Sequence, residues 1–185
     1  MQINISKSKK AGRLIKRQWF IQKLFEYLLP LMLIGIFLFI ALKEFNSNLN
    51  NDKPIGLSLV FLIFTLAIGG FMIYSIFNVY KLKRIKGISR VKNSNLIERI
   101  AKKNKWNIST NNQQITIINF SWKDSGTDWG KQMTIIYDRT DLLVNCISFG
   151  LNSSPSPFHW FANKRKVNEL TTEFENGKKT FYNNI

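Results

Sequence analysis

Two long apolar runs divide the chain into polar flanks and a hydrophobic centre. The first covers about 24–42, with Glu26 as its only charged residue, and the second covers 55–80 with no charged residue. A bilayer core of about 30 Å needs roughly 20 apolar residues in a helix. The pattern therefore predicts a transmembrane hairpin over 24–80, with helices over 24–42 and 55–80 and an external loop over 43–54.

A cleavable signal peptide is the alternative interpretation of the first run. The leader before it is longer than an ordinary positively charged leader, and Glu44-Phe45-Asn46 follows where a site of small residues would be needed. We therefore expect a retained helix. Within the hairpin, Pro30 predicts a kink or an opening turn. Ser58, Thr65 and Gly69 share one helix face, which favours packing within the hairpin over contact with another copy.

The positive charge of the chain is concentrated beside the apolar runs. The formal net charge is +16, and residues 1–24 and 81–105 carry +7 and +9 of it, whereas residues 106–185 carry +1. A nucleic-acid-binding domain would carry its surplus on the folded domain itself, so no nucleic acid is expected as a partner. Cytoplasmic flanks of membrane helices are enriched in Lys and Arg, which predicts a two-pass protein of a bacterial-type inner membrane with both termini in the cytoplasm.

The basic flanks predict contacts with anionic lipid headgroups. The expected contact residues are Lys16, Arg17, Lys23, Lys81, Lys83 and Arg84. Two alternatives stay open for residues 7–23, which form either a basic interfacial helix or a cytoplasmic extension of the first transmembrane helix. Residues 1–23 are treated as a separate basic segment, and residues 81–94 as a basic linker.

A small folded domain is predicted over 95–185. Asn95 and Glu98 form a plausible helix start, with an end near Asn104. Four runs of the strand type follow over 106–110, 114–122, 131–138 and 142–149, and their short turns indicate an antiparallel meander. A last helix is expected over 157–176, where Pro157 suits the first turn and Gly177 a stop.

These elements predict an α+β fold class, with a transmembrane hairpin followed by about four antiparallel strands packed by one or two helices. Alternation in the second run places Ile118 and Phe120 on one sheet face and Ile115 and Ile117 on the other. In the last helix, the residues expected to face the sheet are Phe161, Val167, Leu170 and Phe174.

The segment 121–130 is the first candidate site because two Trp and two Asp lie in a Gly-containing loop. The residues concerned are Trp122, Asp124, Asp128 and Trp129. Loops on a rigid scaffold often carry binding residues. The alternative is a decorated hairpin whose Asp side chains cap turns and whose Trp rings cover the sheet edge.

The segment 153–161 is the second candidate, and it contains His159, the only histidine, next to Trp160. The aromatic residues of this segment are expected to pack in the core, with contact at the membrane interface or a ligand pocket as alternatives. The neighbouring Lys164-Arg165-Lys166 is interpreted as a solvated helix face. The single cysteine, Cys146, lies in an apolar run and is expected to be a buried thiol.

No cofactor or metal is expected, since one histidine and one distant cysteine do not make an ordinary zinc site. The leading hypothesis is a non-enzymatic membrane protein that presents a cytoplasmic interaction or ligand-sensing domain, as a regulatory or accessory subunit with a protein partner or self-association. A ligand-gated oligomeric effector that perturbs the membrane is the first alternative. An enzyme that uses Asp128 and His159 at the membrane surface is the second.

Overall fold

The computed structural model describes residues 3–17, 20–120, 130–150 and 154–183, except for the side chains of 20–23, 25, 29 and 181–183. The chain forms two compact units. One unit comprises Met1–Arg17 and Val79–Ile185, and the other comprises Gln18–Asn78. The sheet-containing unit is therefore discontinuous in sequence, because the apolar hairpin is inserted between its two parts.

The hairpin unit consists of two long helices, α2 over Phe20–Asn50 and α3 over Gly56–Asn78. Both are long and apolar enough to cross a membrane, judged by length and composition. Helix α2 continues through most of the segment predicted as a loop and ends at Asn50. Ser58, Thr65 and Gly69 are buried in this unit, and a Cβ added at Gly69 would lie 3.2 Å from Ile34 Cγ2. Their packing within the hairpin is confirmed.

The described residues of the other unit form three α-helices and five strands. A short helix α1 covers Ile5–Ala11, and the remaining elements follow the hairpin: β1 Lys83–Ile85, α4 Arg90–Lys103, β2 Asn107–Asn111, β3 Ile115–Phe120, β4 Lys131–Asp138, β5 Asp141–Ser148 and α5 Trp160–Asn183. The 3₁₀ turn Pro157–His159 precedes α5. The sheet order is β1-β5-β4-β3-β2, and every neighbouring pair is antiparallel. The α+β class and the antiparallel arrangement are confirmed.

Three predicted details are corrected by the structure. The sheet has five strands, because Lys83–Ile85, assigned to a linker, pairs with β5 through Lys83↔Val144 and Ile85↔Leu142. Helix α4 begins at Arg90, where the Ser89 side chain accepts a hydrogen bond from the Lys92 amide. Gly177 does not end the last helix. It lies inside α5, where a Cβ would come 2.5 Å from Leu96 Cδ1, so the absence of a side chain permits close contact between α5 and α4.

The sheet is covered on both faces, which explains why β4 and β5 are buried along nearly their whole length. Helices α4 and α5 cover one face through a cluster that includes Ile97, Met133, Leu170 and Phe174. A second cluster lies on the opposite face. Its members are Leu14, Val79, Tyr80, Leu82, Ile115, Ile136, Leu143 and Ile147, with Ile3, Ile5, Ile117 and Phe149 packed against it.

The N-terminal arm, residues 3–17, contributes to this second cluster. Its helix α1 is capped by Asn4 and ends at Gly12, which has a φ of 61°. The arm then runs antiparallel to the segment after the hairpin, with hydrogen bonds from Leu14 N to Tyr80 O at 2.8 Å and from Leu82 N to Gly12 O at 2.9 Å. This arrangement differs from an interfacial helix over 7–23, since α1 ends at Ala11 and Leu14 is buried, whereas residues 20–23 do extend the first long helix.

Candidate functional site at the end of strand β5

One end of the sheet gathers the features that bear on function. It is the end at which β3 and β5 finish and β4 begins, as the pairs Phe120↔Lys131 and Lys131↔Ser148 show. We name it the β5 end. Both flanks of segment 121–129 lie here, because Phe120 finishes β3 and Gly130 O accepts a hydrogen bond from Phe149 N at 2.8 Å.

The chain also leaves the sheet unit for the hairpin at the β5 end. Strand β1 pairs antiparallel with β5, so the residues that precede Lys83 lie level with the last residues of β5. The Asn145 amide confirms this placement, because its Nδ2 donates to Val79 O at 2.9 Å and to Lys81 O at 2.8 Å. The N-terminal arm leaves at the same end, since Leu14 is hydrogen bonded to Tyr80.

Lys16 lies at the β5 end, two residues before the hairpin unit begins at Gln18. Its Nζ donates to Tyr80 Oη at 3.2 Å and lies 4.8 Å from the Tyr80 ring centroid and 5.4 Å from that of Phe149. A cation held against aromatic faces is stabilised by the ring quadrupoles. Lys16 is thus positioned by the sheet unit, while its neighbour Arg17 is exposed.

The turn that follows β5 presents aromatic side chains to the outside. It is joined to the strand by a hydrogen bond from Ser156 N to Ser148 O at 2.8 Å and by the bridge Phe149↔Pro155. Phe158 and Phe161 are 60% and 65% exposed. The expectation that these two residues pack in the core is therefore wrong.

The reason for this exposure is the phase of helix α5. Its buried positions include Asn163, Val167 and Leu170, which face the sheet. Phe161, Lys164 and Arg165 have the spacing i, i+3 and i+4, and all three are exposed on another face. We call Phe158, Phe161, Lys164 and Arg165 the aromatic–basic surface.

Trp160 links this surface to the body of the helix. Its ring makes an edge-to-face contact with Phe161, with centroids 5.0 Å apart, and Lys164 Nζ lies 5.0 Å from the Trp160 ring. Lys166 belongs to a different environment. Its Nζ lies 4.7 Å from the Trp106 ring and forms an ion pair with Glu169 at 3.0 Å.

The two side chains with the most reactive groups, His159 and Cys146, both make contacts within the sheet unit. His159 Nδ1 lies 2.8 Å from Ser156 Oγ, a contact across three residues of the kind that closes a turn. Cys146 is buried, as expected, with its Sγ 4.0 Å from Asn163 Oδ1. Asn163 also accepts a hydrogen bond from Ser148 Oγ at 2.7 Å, whereas its buried Nδ2 has no hydrogen-bond partner among the residues that the structure describes. Among the described residues, no group of three or more His, Cys, Asp or Glu side chains is arranged to hold a metal ion.

The basic residues predicted to touch lipid have different environments. Arg84 forms ion pairs with Asp138 and Asp141, both at 2.8 Å. The hydrogen bond to the guanidinium, above all, lowers the pKa of Asp141. Lys83 Nζ donates to Asn168 Oδ1 at 2.9 Å, and Lys81 bridges Arg13 through the backbone. The Arg84 side chain therefore forms ion pairs at the turn between β4 and β5. No local sequence pattern predicts this pairing, because the partners are more than 50 residues away. The side chain of Lys23 lies outside the described part of the chain.

Of the six residues proposed as interaction sites, the structure describes His159 and Trp160. Trp122, Asp124, Asp128 and Trp129 lie outside the described residues, so their role as a recognition loop remains a prediction. The sequence interpretation missed the exposure of Phe158 and Phe161. The i, i+3, i+4 spacing of Phe161, Lys164 and Arg165 was the available signal.

Comparisons of the chain with protein-family models, with curated proteins and with solved structures found no match.

Proposed function

We propose that this chain is a two-pass inner-membrane protein with both termini in the cytoplasm. In this proposal its sheet unit is a non-enzymatic interaction or ligand-sensing domain that acts as a regulatory or accessory subunit. The surface of the hairpin supports the membrane assignment, since large contiguous apolar surfaces are rare on soluble proteins. Strongly exposed apolar residues of the hairpin include Phe39, Leu57, Val60, Phe64 and Phe77.

The observation that carries the proposal is the pairing of the two flanks of the hairpin. The bonds between Gly12 and Leu82 and between Leu14 and Tyr80 form only if both flanks are in one compartment. Two membrane crossings satisfy this condition. The basic charge of both flanks then favours the cytoplasm as that compartment.

The interaction role is supported by the way the chemistry-bearing groups are used. Cys146 is buried, His159 contacts Ser156 within its own turn, and Arg84 pairs with two carboxylates of the sheet. The β5 end, in contrast, displays exposed aromatic and basic residues. Exposed side chains of this kind are typical of recognition surfaces.

The membrane-perturbing effector stays the second candidate, and one observation favours it. The register Arg13↔Lys81 places Ile15 level with Val79, so both covalent connections to the hairpin leave from one short ladder. A change in that ladder would act on both ends of the hairpin together. Dye leakage from vesicles that contain the purified protein, abolished when Leu14→Asp disrupts the ladder, is the expected behaviour of such an effector.

Topology is tested with reporter fusions. A reporter that is active only in the cytoplasm should work after Ile185, and a reporter that is active only outside should work in the loop at Asn51. The opposite result would refute the placement of the sheet unit.

Partner binding is tested in native membranes with a photoreactive amino acid placed at exposed positions of the sheet unit, among them Val91, Asn107 and Arg165. Discrete adducts with one protein are expected from adjacent positions. The matched control is the same amino acid at Leu170, which is buried and should give no adduct. An absence of protein adducts at every exposed position would argue against the interaction role.

A further inference from the structure

The aromatic–basic surface has a composition suited to one particular partner. Aromatic rings favour the boundary between headgroups and acyl chains, and Lys and Arg are attracted to anionic headgroups. From its chemistry and its place in the fold, we infer that Phe158, Phe161, Lys164 and Arg165 dock onto the anionic lipid surface of the bilayer that holds the hairpin. This inference rests on the membrane assignment in the proposed function, and binding of a protein to the same surface is the competing outcome of the test.

Position is the first argument. The surface follows β5 directly, through the hydrogen bond from Ser156 to Ser148, and it therefore belongs to the β5 end of the sheet. Val79 and the N-terminal arm leave the sheet unit at that same end. The part of the unit from which the chain departs for the bilayer also carries the exposed aromatic residues.

Separation from the core is the second argument. Phe161, Lys164 and Arg165 project from the exposed face of α5, whereas Val167 and Leu170 on its other face hold the sheet. Phe161 packs against Trp160 but is still 65% exposed, and Phe158 is 60% exposed. They are available for contact with a partner that is both apolar and anionic.

The chain offers a matched control at the opposite end of the sheet. Val91 is 70% exposed and lies between Arg90 and Lys92, so it is also an apolar residue flanked by cations. Helix α4 begins near the turn between β4 and β5, because Asn93 Nδ2 donates to Thr140 O at 2.8 Å. If composition alone decided membrane contact, Val91 and the aromatic–basic surface would both contact lipid. Docking through the β5 end predicts lipid contact at the aromatic–basic surface and not at Val91.

The test uses spin labels on cysteines introduced by Phe158→Cys, Phe161→Cys and Val91→Cys in the full-length protein. The parent chain measures background, because its buried Cys146 should stay unlabelled. Each protein is reconstituted into nanodiscs of phosphatidylcholine, with or without phosphatidylglycerol. Accessibility to oxygen reports contact with lipid, and accessibility to a water-soluble nickel complex reports contact with water.

Labels at positions 158 and 161 should gain oxygen accessibility and lose nickel accessibility when phosphatidylglycerol is present. The label at position 91 should stay accessible to nickel. Replacing both Lys164 and Arg165 with Gln should reduce the docked fraction, since each cation at an anionic surface contributes roughly a fivefold factor. Replacing both Arg90 and Lys92 with Gln removes the same charge at the other end and should leave docking unchanged.

Equal nickel accessibility at positions 91, 158 and 161 would overturn the inference. Protection of 158 and 161 in native membranes but not in nanodiscs would also overturn it, because the surface would then bind a protein. A label in the middle of α3, at Ile63, tests the membrane assignment separately. If Ile63 is in lipid while 158 and 161 are not, docking fails and the proposed function stands.

Discussion

Phe161 and Phe174 lie on the same helix in opposite environments. Phe174 is fully buried in the cluster between α5 and the sheet, whereas Phe161 is 65% exposed. Sequence periodicity assigned both to the buried face. The assignment is correct for Val167, Leu170 and Phe174 and wrong for Phe161, because Phe161 lies on a different face of α5 from the buried Asn163, Val167 and Leu170.

The two residues allow a matched test. Phe174→Ala should lower the free energy of unfolding by about 3–5 kcal/mol, since it removes a buried ring and leaves a cavity. Phe161→Ala should change it by less than about 0.5 kcal/mol, as expected for a surface substitution. Unfolding of the purified protein in detergent, followed by near-ultraviolet circular dichroism, measures both. Equal effects would mean that Phe161 is not on the surface.

Arg84 makes the stability of the sheet unit depend on pH in the acid range. Its hydrogen bonds and charge hold the pKa of Asp141 below the ordinary value of 3.8. A carboxyl group with a lowered folded-state pKa stabilises the fold above its unfolded-state pKa, and this contribution is lost as the pH falls through the folded-state value. Arg84→Gln should therefore lower the melting temperature slightly at neutral pH, and the difference from the parent should vanish below the Asp141 pKa.

Lys83→Gln is the control for this effect. It also removes one cation from β1, but Lys83 binds the neutral Asn168 side chain. Its effect on melting temperature should not follow carboxyl titration. If both variants showed the same pH dependence, the effect would come from net charge and not from the Arg84 ion pairs.

At the scale of elements, strands were easier to predict than helix ends. The run 131–138 coincides with β4, and the other three runs differ from their strands by one residue at each end that the structure describes, since the predicted end at Trp122 lies outside the described residues. Alternation also placed Ile118 and Ile115 on the correct faces. Helix ends failed where tertiary contact decides them, as at Gly177, which continues the helix because Leu96 of α4 packs against it.

Gly87 lies at a close contact between the segment before α4 and the turn between β4 and β5, and no local sequence pattern predicts this contact. It precedes α4, and a Cβ there would collide with Thr140 O and with the Asn93 side chain. The buried Asn93 amide clamps this region by donating to Thr140 O at 2.8 Å and accepting from Ile88 N at 2.9 Å. The start of α4 is thereby fixed to the turn between β4 and β5, far along the chain.

Gly87→Ala should destabilise the sheet unit by about 1–3 kcal/mol, because the added Cβ would overlap the backbone carbonyl oxygen of Thr140. Gly150→Ala is the control, since the nearest described atoms to its added Cβ, Ser154 O and Ser156 Cβ, lie at ordinary contact distances of 3.8 and 3.9 Å. Thermal unfolding of both variants in detergent provides the comparison. A neutral Gly87→Ala would show that the clamp can shift.

At the scale of the whole molecule, the main difference from the sequence interpretation concerns the arm before the hairpin. Its Lys and Arg residues predicted a basic segment at the membrane. The chain uses its apolar positions, Ile3, Ile5 and Leu14, to cover the second face of the sheet. A pattern read locally does not reveal this pairing, because the partner strands follow only after the hairpin.

The insertion of the hairpin into a folded unit has a testable consequence. Residues 79–185 alone would lack Ile3, Ile5 and Leu14, so the second cluster, which includes Ile136 and Leu143, would be partly exposed to water. We expect that fragment to aggregate. Replacing residues 18–78 with a short Gly-Ser linker should restore a soluble, monomeric domain. Ile15 and Val79 already lie side by side in the ladder, so a short linker can join the two parts.

Size-exclusion chromatography and circular dichroism of the two proteins make the comparison. The control is the joined protein with Leu14→Asp, which places a charge in the second cluster and should return it to the behaviour of the fragment. If residues 79–185 fold well without the arm, the arm is an accessory and the pairing of the two flanks loses its weight as evidence for topology. If only the joined protein folds, the folded state itself requires that both flanks share a compartment, and a hairpin with an even number of crossings follows from the stability of the domain.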